Sequence, residues 1–184
     1  MAVLEIARLG NPILRKVAEP VDLESLTQKD GELQRLIDDM IETMRHENGA
    51  GIAAPQVSRS LQIVVFECEG NERYPDRPDI PLTVLVNPVI TRYSEETVMG
   101  WEGCLSLIDF RGLVPRSESI HLEAYDRWGQ RIEMDVDGFR AIVIQHETDH
   151  LLGKVFLDRM TDMTQLAYQK EFETYWLQSD SIEV

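Results

Sequence analysis

Apolar residues recur with helical spacing in the first quarter of the chain. Between residues 33 and 44 they follow the three- and four-residue steps of one buried helix face. These positions are Leu33, Leu36, Ile37, Met40, Ile41 and Met44. A Thr-x-x-Asp capping pattern at Thr27 and Asp30 predicts that the helix begins near Thr27, and Asn48-Gly49 predicts its end. The pattern therefore indicates an amphipathic helix close to the N-terminus.

Runs rich in β-branched residues predict strands in the middle of the chain. Two such runs are residues 61–66 and 82–87, and the proline-rich segment 68–81 between them is typical of an exposed, peripheral loop. Further along, apolar and polar residues alternate on both sides of the turn Asp126-Arg127-Trp128-Gly129. This alternation over residues 120–136 predicts a hairpin with one solvated face.

Residues 139–152 are predicted to form a helix that belongs in the core. Asp137 is placed to cap its start, and Gly153 is placed to end it. Its apolar residues nearly surround the helix, so charged residues within it are costly unless they are paired or bound to a metal. A last helix is expected from about Thr161, with Tyr168, Phe172, Tyr175 and Trp176 on one side. We expect one α+β domain, with antiparallel sheets packed around the central helix and further helices near each end.

Composition and charge exclude several functional classes. The chain has 184 residues and a formal net charge of −15, which opposes any binding that depends on neutralising phosphates, so nucleic acid is not an expected partner. No window approaches the roughly 18 uninterrupted apolar residues of a membrane span, and the first residues do not resemble a signal peptide. We therefore expect a cytoplasmic protein, in which a disulfide between Cys68 and Cys104 is disfavoured.

The segment 146–150 contains the pattern His-Glu-x-x-His. Residues four apart stack on one face of a helix, so His146 and His150 can reach one metal ion, and Glu147 can sit beside the metal's water. This arrangement is typical of metal-dependent hydrolases.

Two histidines leave a third ligand to be found. The extended metalloprotease pattern would require a histidine at position 156, where this chain has Phe156. Cys104 is the better candidate, because a thiolate, two imidazoles and one water complete an open tetrahedral site. A small zinc metalloprotease using Glu171 as the third ligand is an alternative, and so is a non-catalytic peptide-binding module with four protein ligands around a structural metal.

A third segment, 49–56, combines small residues with a polar end. Gly49 and Gly51 allow the backbone to approach a ligand closely, and the Gln56 amide can donate to an oxyanion. Neither the Gly-x-Gly-x-x-Gly spacing nor a Walker lysine is present, which excludes a nucleotide fingerprint.

These three segments, in this order, resemble the peptide deformylase family, whose members remove the formyl group from the N-terminal formyl-methionine of new bacterial proteins. Its patterns Gly-x-Gly-x-Ala-Ala-x-Gln, Glu-Gly-Cys-Leu-Ser and His-Glu-x-x-Asp-His-Leu are matched at residues 49–56, 102–106 and 146–151. Residues 9–15 look like the family's opening segment, so the resemblance extends to about Met160.

The resemblance implies a role for each matching residue. Cys104, His146 and His150 would hold the metal, and Glu147 would act first as general base and then as general acid. Gln56 and the backbone N–H of Leu105 would bind the developing oxyanion. The substrate-binding residues implied are Gly49, Gly51, Glu102, Gly103 and Arg111. Glu102 and Arg111 would pair and so brace the loop around Cys104, called the cysteine loop below. Helical spacing adds Phe139, Ile142 and Val143, which lie on the metal side of the helix and can receive a methionine side chain.

The resemblance also implies a cofactor and partners. Fe²⁺ is the expected metal in the cell, with Zn²⁺, Ni²⁺ or Co²⁺ as substitutes, and N-formyl-methionyl nascent peptides are the expected substrates. The chain departs from many relatives at residues 107–110, where they carry an apolar residue, proline and glycine. Transient ribosome association is not supported, because the end of this chain is acidic where some relatives have a basic helix.

Overall fold

The computed structural model describes residues 2–68 and 80–177. The expected peripheral loop and the acidic tail therefore lie mostly outside the described residues. The helices are α1 (Leu23–Leu26), α2 (Glu32–His46), α3 (Gly138–Leu151) and α4 (Gln169–Tyr175). The strands are β1 (Gly51–Ala53), β2 (Ile63–Cys68), β3 (Ile80–Tyr93), β4 (Thr97–Cys104), β5 (Leu107–Ser117), β6 (Ser119–Tyr125), β7 (Arg131–Asp137) and β8 (Leu166–Tyr168). Short 3-10 helices cover Pro12–Arg15, Ala54–Val57, Phe156–Arg159 and Met163–Gln165.

The strands form two antiparallel sheets. One has five strands in the order β1-β2-β3-β6-β7, and the other has three in the order β4-β5-β8. The predicted hairpin is confirmed as β6 and β7, with Ala124 opposite Ile132 across the turn. The α+β class predicted from the sequence is therefore confirmed.

The five-stranded sheet is covered by a helix on each face. In β2, Ile63 and Val65 pack into the cluster that contains the α2 stripe, whereas Val64 and Phe66 pack into the cluster that contains α3. Successive strand residues point to opposite faces, so this almost wholly apolar strand is buried on both sides. The sheet holds α3 in the interior, as its composition predicted.

Two predicted boundaries differ from the structure. Helix α2 begins at Glu32 after Gly31, and Thr27 instead ends α1, where its hydroxyl donates to the Glu24 carbonyl. A single helix from Thr161 is also wrong. A 3-10 turn capped by Asp162 comes first, then β8 pairs with β5, and α4 follows with seven residues.

Both cysteines are buried thiols, in agreement with the prediction that no disulfide joins them. Cys68 packs in the α3 core cluster, so its environment is that of a small apolar side chain. Of the helices in residues 2–68 and 80–177, none combines the length and apolar character needed to cross a membrane.

Candidate metal centre and active site

The central helix positions two of the predicted ligands. α3 begins directly after Asp137 and ends before Gly153, whose φ of +70° suits glycine. Four residues apart on this helix, His146 and His150 place their ring centroids 5.3 Å apart, and both side chains are buried. The helix therefore presents two imidazoles to one point in the interior, as its spacing predicted.

Strand β4 brings the third ligand to the same point. Cys104 ends β4, and its Sγ lies 3.3 Å from Nε2 of His150. One ligand atom from each of Cys104, His146 and His150 lies within 4.8 Å of the others. A thiolate and two imidazoles are suitable donors for a divalent transition metal, and three protein ligands leave one position open. The residues therefore fit a catalytic metal.

The surroundings of the Cys104 thiol also favour a bound cation. Burial by itself raises the pKa of the Cys104 thiol, but the neighbouring His150 and His146 hold that pKa well below its ordinary value. Burial lowers the pKa of His146, yet hydrogen bonds with Cys104 and Glu102 raise it well above its ordinary value. A buried thiolate is stabilised by positive charge, which a metal ion supplies.

Glu147 lies beside the ligands without belonging to them. Burial raises its pKa to about 7, although the two histidines act to lower it. Its Oε2 has no hydrogen-bond partner among the described residues. A Cβ on Gly51 would lie 2.5 Å from Glu147 Oε1, so only glycine allows β1 to pass this carboxyl. The carboxyl is thus able to exchange a proton with a molecule at the open position.

The Gln56 side chain is fixed in one orientation. Its Oε1 accepts a hydrogen bond from the Ala53 N–H at 2.8 Å, which directs the amide nitrogen the other way. That Nε2 lies 3.5 Å from Cys104 Sγ and donates to Ser106 Oγ at 3.3 Å. A buried N–H donor is therefore aimed at the metal side of the cysteine loop.

A buried ion network supports His146 and corrects one predicted pair. Arg116, and not Arg111, binds the Glu102 carboxylate, with distances of 2.7 and 3.0 Å. Glu102 in turn accepts a hydrogen bond from His146 Nδ1 at 2.8 Å. This bond directs Nε2 of the ring towards the metal point, which is the place where the ligand atoms of Cys104, His146 and His150 meet. Burial opposes the charge on Glu102, but Arg116 and His146 outweigh it and lower the pKa to about 2.

Asp149 extends the same network. It accepts from Arg116 Nη1 at 2.6 Å and from Arg159 Nε at 3.0 Å. Two of the charged residues that α3 carries into the core, His146 and Asp149, are thus paired. Since removing one member of a buried pair typically costs about 3–5 kcal/mol, the network holds β4, β5 and α3 together around the metal point.

Arg111 lies on the face of the three-stranded sheet that is opposite to Glu102. It is buried against Gly103, where a Cβ would lie 2.2 Å from its Nη1. Its Nη1 donates to the Phe110 carbonyl. The close contact explains the glycine before Cys104 in the motif.

The N-terminal segment joins the Gln56 turn to the cysteine loop. The Ala7 N–H donates to the Gln56 carbonyl at 2.7 Å, and the Leu9 N–H donates to the Ser106 carbonyl at 3.0 Å. Arg8 Nη1 also donates to the Leu105 carbonyl. The two segments that carry the predicted oxyanion donors are therefore both hydrogen-bonded to the same N-terminal stretch, residues 7–9.

A cavity opens onto this centre. Most predicted site residues line it, namely Gly49, Gly51, Gln56, Glu102, Gly103, Cys104, Leu105, Phe139, Ile142, Val143, His146 and Glu147. Ala50 and Trp101 also line the cavity, whereas His150 lies behind it and is fully buried. The structure therefore brings an apolar helix face and the metal ligands to one cavity.

Both alternatives for the metal site disagree with the geometry. Glu171 is exposed on α4 and is not among the donors that meet Cys104, His146 and His150, so it is not a third ligand. Among the described residues the cluster supplies three protein ligands, and a structural zinc site uses four.

Sequence reasoning missed Arg116, Ser106 and Trp101. Arg116 carried a signal, because a charged residue alternating with the apolar Val114 faces the buried side of its strand. Ser106 and Trp101 are neighbours of the motif cysteine, but the sequence does not show which way their side chains point.

Comparisons with known proteins agree with this geometry. A model of the polypeptide deformylase family matches residues 3–166. The chain is 50% identical over 163 residues to peptide deformylase 1 of Bordetella pertussis, which covers 89% of this chain and 90% of that protein. It is 47% identical over 166 residues to peptide deformylase 2 of Pseudomonas putida, with 90% and 92% covered.

Solved structures give the same result. A class I type b peptide deformylase from Acinetobacter baumannii, crystallised with Met-Ala-Ser bound, superposes with a TM-score of 0.82 at 41% identity and covers 86% of this chain and 99% of that one. The peptide deformylase of Thermotoga maritima gives a TM-score of 0.76 at 33% identity, with 88% and 100% covered. The donor cluster, the cavity and these similarities lead to one conclusion: the chain belongs to the polypeptide deformylase family.

Proposed function

We propose that this chain is a single-domain, metal-dependent hydrolase that removes the formyl group from the N-terminal formyl-methionine of newly synthesised proteins and releases formate. The observation that carries the proposal is the cluster of Cys104, His146 and His150 at the end of a cavity with an apolar wall. The carboxyl of Glu147, whose Oε2 has no hydrogen-bond partner within residues 2–68 and 80–177, adjoins it.

Cys104, His146 and His150 are assigned as the metal ligands. A divalent metal held there supplies a Lewis acid that lowers the pKa of a bound water from about 16 towards about 7. Glu147 accepts the proton of the attacking water, because its carboxyl is buried and its Oε2 has no hydrogen-bond partner among the described residues. Its pKa of about 7 suits a group that gains and loses a proton near neutral pH. Glu147 then delivers the proton to the departing amine, which completes the hydrolysis.

Gln56 and the backbone N–H of Leu105 are assigned to the developing oxyanion. The support is the orientation of the Gln56 amide, which its own bond to Ala53 directs towards the cysteine loop. A donor held in place before the reaction stabilises charge without reorganising, which is the basis of oxyanion binding.

Phe139, Ile142 and Val143 are assigned to the methionine side chain. They line the cavity on one side of α3, and Gly49 and Gly51 line it beside β1. The Acinetobacter baumannii relative binds Met-Ala-Ser, a peptide that begins with methionine. Glu102 and Arg111 complete the assignment as residues that shape the cysteine loop, each through its own contacts.

Replacing Gln56 by alanine is expected to lower kcat about 10- to 1000-fold, as for the loss of one oxyanion donor. Bound metal should change little, because Gln56 is not a ligand. Steady-state kinetics and metal analysis of the same preparation check this. Gln56→Glu is the matched variant, since it keeps the oxygen that accepts from Ala53 and loses the N–H donor. Loss of metal in Gln56→Ala would show a structural role instead.

Substrate selectivity tests the proposed function directly. Formyl-Met-Ala should be hydrolysed far faster than acetyl-Met-Ala, because a formyl hydrogen fits against the crowded cysteine loop where an acetyl methyl group would clash. Formate and acetate release by the same enzyme sample would be measured side by side. Equal rates on the two peptides would indicate a general amidase and contradict the proposal.

Fe²⁺ is the metal proposed for the active enzyme in the cell. Affinity alone favours Zn²⁺, but selection in vivo also depends on supply and geometry. Aerobic purification should yield a weakly active, zinc-rich protein, since Fe²⁺ and the Cys104 thiolate are both open to oxidation. Anaerobic Fe²⁺, or air-stable Ni²⁺ or Co²⁺, should restore turnover. A zinc form as fast as the iron form under anaerobic assay would refute iron but not deformylation.

The proposal places the protein in the cytoplasm, where nascent chains carry the formyl group. Ribosome docking is not included, because α4 carries Lys170 against the exposed Glu171 and Glu173 and offers little positive charge.

A further inference from the structure

A group of aromatic residues at the edge of the cavity includes residues outside the family match. Trp101 in β4 lines the cavity, three residues before the ligand Cys104. Its ring lies 4.9 Å from that of Phe172 and 5.3 Å from that of Trp176, centroid to centroid. Both contacting residues come after position 166, where the family match ends.

The strand geometry explains why α4 reaches Trp101. Successive residues of β4 point to opposite faces, so Glu102 points into the buried network and Trp101 points to the other face of the sheet. Strand β8 pairs with β5 on this sheet and leads directly into α4. The short helix therefore lies over the face that carries Trp101, and Phe172 is buried there.

Two tilted ring contacts restrict the Trp101 side chain. Both interplanar angles are 49°, and tilted aromatic pairs of this kind are stabilised beyond the burial of their area. Trp101 itself is half-buried, so one part of its ring remains open to the cavity. A tryptophan held in this way offers a large apolar surface at little cost in side-chain entropy.

The position of Trp101 indicates which part of a substrate it meets. The assigned methionine wall lies on α3, so Trp101 on β4 forms a different wall of the cavity. Three residues along a strand span about 10 Å, and an extended peptide advances at the same rate. A peptide extended along β4 from the metal ligands would therefore bring the residues that follow the methionine to this ring.

We propose that Trp101, positioned by Phe172 and Trp176, selects peptides with a large apolar side chain directly after the formyl-methionine or one residue later. The inference rests on the proposed function. Trp101 contacts substrate in this account, whereas Phe172 and Trp176 act through it. The segment beyond the family match thus contributes to specificity.

The test compares formyl-Met-Ala-Ala with formyl-Met-Phe-Ala and formyl-Met-Ala-Phe. The wild type should prefer a Phe peptide over the Ala peptide, and Trp101→Ala should lower kcat/KM for that Phe peptide about 3- to 10-fold through KM. Formyl-Met-Ala-Ala should be little affected. Phe172→Ala and Trp176→Ala should reproduce the effect, and Trp176→Phe should restore most of the preference.

Tyr175→Ala is the matched control, because this residue of α4 is 68% exposed and lies next to Trp176. It should leave the preference unchanged. An equal loss on all three peptides would reduce α4 to a structural role and overturn the proposal, as would a wild-type enzyme with no preference between Phe and Ala. If Phe172→Ala does not fold, the loss of preference for the Phe peptide is tested with Trp176→Ala and Phe172→Leu instead. Failure of the wild type to release formate from any of the peptides would instead refute the proposed function.

Discussion

Replacing Glu147 by alanine is expected to remove nearly all hydrolysis while the metal stays bound. Glu147 is not among the three ligand atoms, so its loss leaves Cys104, His146 and His150 in place. Its carboxyl moves protons, and general acid–base groups typically contribute about 10²–10⁴-fold to a rate. We expect a fall in kcat of at least that size, measured as formate release together with metal content.

Two controls separate proton transfer from packing. Glu147→Gln keeps the size of the side chain against Gly51 but cannot accept the proton, so it should be as inactive as the alanine variant. Glu171→Ala removes an exposed carboxylate from α4 and should retain full activity. Turnover of Glu147→Ala within about tenfold of the wild type would refute the assignment of Glu147.

Cys104→Ala is expected to lose metal and activity together. Outer hydrogen-bond partners of metal ligands are typically worth about 10–100-fold in affinity, and removal of a direct ligand should exceed that. The metal dissociation constant and formate release would be measured on one preparation. Cys68→Ala is the matched control, since Cys68 is the other buried thiol and packs in the apolar core.

This variant also separates the proposed site from its rival. A protease that used Glu171 as third ligand would keep its metal and its activity without Cys104. Full metal occupancy in Cys104→Ala would therefore contradict the ligand set described above.

Local patterns predicted the elements whose burial is decided within one segment. The α2 stripe packs as expected, with Ile37, Met40, Ile41 and Met44 buried. The buried character of α3 and the β6–β7 hairpin also follow from short-range periodicity. The helix boundary near Thr27 was wrong because the same hydroxyl that can begin one helix can also end another.

The β4–β5 hairpin was not predicted, since its alternation is broken by small residues and proline. Gly100 and Gly103 interrupt β4, and Gly112 and Pro115 interrupt β5. Of these positions, Gly112 makes close contact with residues outside the hairpin. At Gly112 a Cβ would meet Met160 and Phe156, at 2.6 and 2.7 Å.

The register of β4 against β5 explains why the predicted pair of Glu102 and Arg111 was wrong. Glu102 lies opposite Gly112, and Val98 lies opposite Arg116. Residues 112, 114 and 116 therefore share a face with Glu102, and Arg111 points to the other side. Motif spacing identified the ligands, but the partner of Glu102 depends on a strand register that the sequence does not reveal.

The most direct test of the account is a metal titration of the metal-free protein under anaerobic conditions. Formate release from formyl-Met-Ala would be measured as Fe²⁺ is added, with bound metal determined at each point. We predict no turnover without metal, a linear rise with occupancy, and a plateau at one metal per chain. Turnover by the metal-free protein, or none at full occupancy, would contradict a metal-dependent deformylase centred on Cys104, His146 and His150.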